Sequence, residues 1–153
     1  MLESILIGSA VIVVTTTIHA AAMLELLRWL RRMHVGHWGL RSNVTRAAVI
    51  SIVVLVMFVA TVAEAAVWAT VFLAAGAIDG AEPAMYFSMV TYTTLGYGDV
   101  VLEPGWRLLA TFEAANGIIM FGWSTALIFA GVHAVYFSSA TPANGRPGSP
   151  DNT

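Results

Sequence analysis

The chain has 153 residues, 58% of them hydrophobic and 10% charged, with a mean hydropathy of +0.79. Soluble domains carry about 25% charged residues, so the composition argues against a water-soluble globule and for an integral membrane protein. A net charge of −2 gives no electrostatic ground for nucleic acid as a partner, and the absence of cysteine removes disulfides and thiolate metal sites.

The chain opens Met-Leu-Glu with no basic residue before its first apolar run, so that run reads as a retained segment and not as a secretory leader. Ser4 to Leu27 carries no charge between Glu3 and Glu25, which meets the membrane requirement of about 20 apolar residues. Residues 1–28 are thus expected to form an N-terminal transmembrane helix. It lacks an arginine at every third position, so it is no voltage sensor of the familiar kind. A packing helix, a lipid-facing brace and an element exchanged between subunits all fit it.

Residues 29–46 form an arginine-rich linker. Arg31, Arg32, Arg41 and Arg46 gather there with His34 and His37, and Arg28 stands just before it. The positive-inside rule makes this linker cytoplasmic. The N-terminus is then outside and the C-terminus cytoplasmic in a multi-pass plasma-membrane protein. Trp29 and Trp38 among the arginines fit interfacial anchoring of helix ends. The other reading is an anionic-lipid site at Arg28, Arg31 and Arg32.

A second span covers residues 47–78, interrupted only by Glu64. A third covers 107–137, interrupted by Glu113. Between them lies PAMYFSMVTYTTLGYGD, which opens on Pro83, a residue suited to the first turn of a helix. A helix over 83–93 is too short to cross a bilayer. The segment outside carries Asp79, Glu82, Asp99 and Glu103 against Arg107, a mildly anionic vestibule that concentrates cations. Residues 138–153, ending TPANGRPGSPDNT, read as a disordered cytoplasmic tail.

Irregular backbone at membrane depth is tolerated only where protein buries it or it lines a water-filled cavity. A half-length helix followed by TTLGYGD therefore implies a re-entrant loop. A dehydrated cation needs a shell of oxygens, and backbone carbonyls supply them without net charge. Successive carbonyls point the same way only if alternate residues take left-handed dihedrals, which glycine adopts cheaply. Gly96 and Gly98 stand at that alternation, Thr94 can add a hydroxyl, and Tyr97 is large enough to brace the loop sideways.

Thr94-Leu95-Gly96-Tyr97-Gly98-Asp99 resembles the selectivity-filter signature of potassium channels, T-V/I-G-Y-G-D, with Leu95 in place of the usual branched residue. The resemblance spans about residues 47–137 in the order outer helix (47–78), pore helix (83–93), filter (94–98) and inner helix (107–137). It implies an all-α integral membrane fold of three transmembrane helices plus a re-entrant pore helix and filter, the extra N-terminal helix lying outside the family's pore unit. It also implies a homotetrameric channel in a bilayer, the bacterial inner membrane for the prokaryotic family. K⁺ would be the permeant ion at Thr94, Leu95, Gly96 and Tyr97, with no other cofactor. Tyr86 and Phe87 fall where the family's aromatic pair packs around the filter. Val90 stands where some relatives carry a glutamate paired with the filter aspartate, so Asp99 needs another partner, with Tyr86 or water as candidates. In the family register Ile118, Phe121, Thr125 and Phe129 face the pore. Gly117 falls at the hinge position, and Gly122 is a second flexible point, although a membrane-helix glycine also serves close packing.

Glu64 and Glu113 are unexpected, since a charge at a helix centre costs about 2.5–3.5 kcal/mol on insertion scales. The sequence places both behind the filter, bonded to the pore helix, to Trp68 or to each other, with a proton-sensitive gate as the alternative. His19 and His133 lack a partner motif, and packing or an inner-mouth role fits them better than haem or metal ligation. No nucleophile–base pair, HExxH motif or phosphate loop appears, so an enzyme is not expected. The functional expectation is a potassium-selective channel. A weakly selective cation channel, a non-conducting membrane interaction subunit and a transporter subunit are the alternatives.

Overall fold

A computed structural model of the chain describes residues 1–32 and 42–136. The linker residues 33–41, with His34, His37, Trp38 and Arg41, and the tail from residue 137 lie outside the described residues. The described chain is all-helical: α1 is Leu2–Arg32, α2 Asn43–Ala74, α3 Ala81–Tyr92 and α4 Arg107–Tyr136. Three of these, α1, α2 and α4 as far as His133, are long and apolar enough to cross a membrane.

The observed ends differ from the hydropathy reading for local reasons. α1 runs on through Arg32, because arginine is a good helix former whose long stem keeps the charge at the interface. α2 begins at Asn43, before the apolar run, because the Ser42 side chain accepts a hydrogen bond from the Val44 N–H at 3.2 Å and caps the helix. It stops at Ala74, short of Ile78. Gly76 takes φ +64, and the Gly76 and Ala77 amides bond back to the Leu73 and Phe72 carbonyls. That pattern is a Schellman closure, which needs a left-handed residue after the helix. α3 starts at Ala81 after Gly80, whose φ of +96 turns the chain into it, so Pro83 sits within the first turn.

Each long helix buries one stripe. On α1 it reads Ser4, Gly8, Val11, Thr15, His19 and Leu26, a 3–4 spacing of mainly small and polar residues. Gly8 is required by the closeness of α4, since a Cβ there would stand 2.8 Å from the Phe112 ring. The α2 stripe passes through Val53, Met57, Glu64, Trp68 and Phe72. Two apolar clusters result. One gathers Val11, Trp68, Phe72, Phe87, Tyr92, Leu109 and Met120; the other joins Leu26, Val53, Met57 and Leu127. Thr15, His19, Glu64 and Ser124 occupy the seam between them in sequence order, and all four are buried.

The first helix packs on α2 and α4, whereas among the described residues α1 and α3 do not pack on each other. At the far end the Arg46 guanidinium lies over the Tyr136 ring, 5.6 Å from its centroid. The start of α2 and the end of α4 are therefore neighbours at the end of the bundle where α1 carries Arg28, Arg31 and Arg32.

Candidate functional site

The site is built where α3 ends. Tyr92, its last residue, is fully buried, and its hydroxyl donates to Glu64 Oε2 at 2.6 Å. Glu64 lies about 15 Å inside the Ala74 end of α2, and Gly117 a similar distance inside the Arg107 end of α4, at about 1.5 Å per residue. A Cβ on Gly117 would stand only 1.9 Å from the Tyr92 carbonyl oxygen. The end of the 12-residue α3 therefore reaches well into the bundle, between the two helices that flank it. Its last carbonyls carry the partial negative charge of a helix C-terminus to that depth.

From there the backbone turns into 94–98. The Thr94 amide bonds to the Thr91 carbonyl at 2.9 Å, and the Leu95 and Gly96 amides both bond to Val90 O, at 2.9 and 3.2 Å. Left-handed dihedrals then recur at alternate positions: φ is +60 at Thr94, +57 at Gly96 and +79 at Gly98, with none positive at Leu95 or Tyr97. A β-branched threonine in this region is a costly exception. Strain of this kind persists only where the surroundings over-determine the backbone, as at ligand-holding loops. The Leu95 and Tyr97 side chains are 55% and 67% exposed in the single chain, an unusual outlay of apolar surface beside such an ordered turn.

Asp99 follows the loop. With Val90 lacking an acid, its carboxylate is met by Tyr86, whose hydroxyl donates to Oδ2 at 2.6 Å, while Oδ1 accepts from the Val100 amide at 3.1 Å. The Tyr86 bond is the main cause that holds the Asp99 carboxyl below the usual carboxylate range, and the same bond pushes the Tyr86 hydroxyl up. A carboxyl lowered by folding stabilises the fold above its unfolded value, and loses that contribution as pH falls through the lowered native value. The Tyr86–Asp99 bond therefore stabilises the fold at neutral pH and is lost as the carboxyl protonates below the usual carboxylate range. Replacing Tyr86 with Phe is expected to move the Asp99 titration upward, read by carboxyl NMR. An unchanged titration would discount the bond.

Phe87, the other member of the aromatic pair, is buried edge-on against Phe72 of α2, the centroids 5.2 Å apart at 90°. Tyr86, Phe87, Val90, Gly96, Gly98, Asp99 and Arg107 help to line a cleft of about 220 Å³ behind the loop.

The two membrane carboxylates are not partners. Glu64 is fully buried and takes His19 Nδ1 on Oε1 at 2.8 Å in addition to the Tyr92 hydroxyl. Glu113, also fully buried, meets no hydrogen-bond partner at either oxygen among the described residues, and neither does Trp68 Nε1. The sequence singled out Glu64 as a charge inside a membrane span, whereas His19 on the first helix was expected only to pack or to lie at the inner mouth. The signal for it was the polar stripe Ser4, Thr15 and His19 on one face of an otherwise apolar span. His133 lies at the other end of the bundle, exposed, its ring 6.4 Å from Phe129.

On α4 the faces separate cleanly. Leu109, Glu113, Asn116, Gly117, Met120, Ser124 and Leu127 turn into the chain. Ile118, Phe121, Gly122, Thr125 and Phe129 lie on the exposed side. Gly117 thus packs against α3 and does not line that face. On the arginine-rich end Arg28 pairs with Glu25 on the same helix.

A family model described as ion channel matches residues 52–133, more than half of the chain. No curated protein and no solved structure matches it.

Proposed function

Because the chain belongs to the ion channel family, we propose that it is the subunit of a potassium-selective channel that conducts K⁺ passively down its gradient. The observation that carries this reading is the left-handed backbone at Thr94, Gly96 and Gly98 alternating with Leu95 and Tyr97. That alternation suits a column of carbonyls facing one way, and the carbonyls of Thr94, Leu95, Gly96 and Tyr97 would replace the hydration shell of K⁺. One chain supplies one wall of such a column, so a closed ring requires several copies, and a homotetramer with cyclic symmetry is the arrangement proposed. The exposed Leu95, Tyr97, Ile118, Phe121, Thr125 and Phe129 are the surface that neighbouring copies and the conduction path would share. The C-terminal end of each α3 would add partial negative charge toward a central cavity.

In this reading Asp99, Tyr86, Phe87, Glu64 and Glu113 support the filter from behind and above. The apolar α4 face offers a dewetting constriction at Phe129. By the positive-inside rule α1's C-terminal end would lie in the cytoplasm and the N-terminus outside, and Arg28, Arg31 and Arg32 would meet anionic lipid headgroups.

The test is flux from liposomes loaded with purified protein, K⁺ against Na⁺. A K⁺ preference of at least tenfold, about 1.4 kcal/mol of discrimination, is expected. Equal flux of both ions would replace this reading with a weakly selective cation channel. No flux from an intact oligomer would leave a non-conducting membrane subunit.

A further inference from the structure

The first helix lies outside the matched region 52–133, yet it enters the site through one side chain. His19 is fully buried, and its two ring nitrogens engage different helices. Nδ1 meets Glu64 Oε1 on α2 at 2.8 Å, and Nε2 lies 3.2 Å from Ser124 Oγ on α4. The ring also stands 5.5 Å from the Trp123 ring. Four residues earlier on the same buried stripe, Thr15 Oγ1 accepts from Asn116 Nδ2 at 2.7 Å, a second polar tie between α1 and α4.

We propose that His19 is a positioning residue for the ion-coordinating loop, acting through a buried His19–Glu64–Tyr92 chain that fixes the end of the pore helix. This rests on the reading of residues 94–98 as that loop. The direction of the chain follows from its chemistry. A carboxylate accepts at both oxygens, so with an N–H at His19 Nδ1 and the Tyr92 O–H both donating, Glu64 is satisfied on both sides. Ser124 donates to Nε2 in the neutral ring, which holds the proton on Nδ1 and the ring in place.

Charge-assisted bonds in a low-dielectric interior are short and strong, and a charge buried at this depth without partners is costly. Tyr92 is held at two points, its hydroxyl by Glu64 and its carbonyl against Gly117. Two residues further on stands Thr94, the first strained residue of the loop. Since α1 and α3 do not pack on each other, Glu64 is the polar link between them. The titratable groups facing this chain are Glu64 from α2, Tyr92 from α3 and Glu113 from α4, the last close enough to Tyr92 to act on it electrostatically.

Asparagine and glutamine separate the two ring nitrogens. The amide of His19→Asn stands where Nδ1 was and keeps the Glu64 bond, whereas the longer His19→Gln reaches toward Ser124. His19→Leu removes both bonds, and Tyr92→Phe cuts the chain at its other end without touching any α1 contact. Each full-length variant is purified as the assembled oligomer. Apparent K⁺ affinity is then measured by calorimetry and the K⁺/Na⁺ flux ratio in liposomes.

His19→Leu, His19→Gln and Tyr92→Phe are each expected to lower K⁺ affinity or the flux ratio by about tenfold, the order for one lost bond to a charged group. His19→Asn should stay close to wild type. The double variant His19→Leu/Tyr92→Phe should lose no more than either single change, as members of one chain do. A Tyr92→Phe channel with wild-type affinity and ratio overturns the proposal. So does a His19→Leu channel that loses thermal stability alone, or a double variant whose losses add. Should His19→Leu fail to assemble, Tyr92→Phe and His19→Asn decide. If the wild type passes K⁺ and Na⁺ equally, the potassium reading fails by itself. The chain is then judged on total cation flux, where no change in Tyr92→Phe overturns it.

Discussion

Gly117→Ala is expected to abolish ion flux and to lower the thermal stability of the assembled protein. The methyl would stand 1.9 Å from the Tyr92 carbonyl oxygen, with the Tyr92 carbonyl carbon and Cα also inside 3.3 Å. Overpacking an interior costs about 1–3 kcal/mol when flexible side chains give way. Here the obstacle is backbone, and moving it shifts the residue that leads into the loop 94–98. Gly122→Ala is the control, because no atom lies within 4 Å of a Cβ there and the helix gains about 0.8–1.0 kcal/mol of propensity. Flux assays and thermal unfolding in detergent separate the two. Normal conduction and stability in Gly117→Ala would refute the close approach. Loss of flux in Gly122→Ala with normal stability would show that α4 needs flexibility at Gly122.

The second large effect is expected at Gly96 and Gly98, the glycines of the proposed filter. Gly96→Ala and Gly98→Ala should each drive the K⁺/Na⁺ flux ratio toward one, with little change in the amount of folded protein. Nothing lies within 4 Å of a Cβ at either position, so crowding is not the cause. The cause is the backbone, at φ +57 and +79. An L-residue held in that region costs about 1–2 kcal/mol. A loop that already strains Thr94 relieves the added cost by swinging the peptide, which turns its carbonyl off the common axis. Retained selectivity in both variants would mean that these carbonyls do not coordinate the ion.

Much of this was legible before any coordinates, for identifiable reasons. Three long apolar runs must become helices in a bilayer, because every backbone group there has to be satisfied within its own segment. The glycine alternation in TLGYG announced its dihedrals, since few other residues adopt them cheaply. Tyr86 as a partner of Asp99 was readable from the missing acid at Val90. The helix ends were less legible, because capping by Ser42 and closure at Gly76 are local events that hydropathy averages away. The partner of Glu64 was not legible from its neighbours in sequence. Of the mates expected for it, the pore helix is met through Tyr92 and Glu113 is not, while His19, unforeseen, arrives from 45 residues upstream. Nothing in a one-dimensional pattern says which polar residue on one helix meets which on another. Gly117 carries a similar lesson: position alone suggested bending, and its surroundings reveal a contact.

The seam of polar residues also bears on how the chain is made. His19 leaves the ribosome before Glu64 and Ser124, its side-chain partners, and in the bilayer an unmatched polar group is held at a cost. Glu64 arrives next, with α2, and can take His19 as a mate while the pore segment is still being synthesised. Asn116 and Ser124 come last, with α4. The order of synthesis thus matches the order in which these bonds can close, and α1 and α2, which pack on each other, can pair before α3 and α4 emerge.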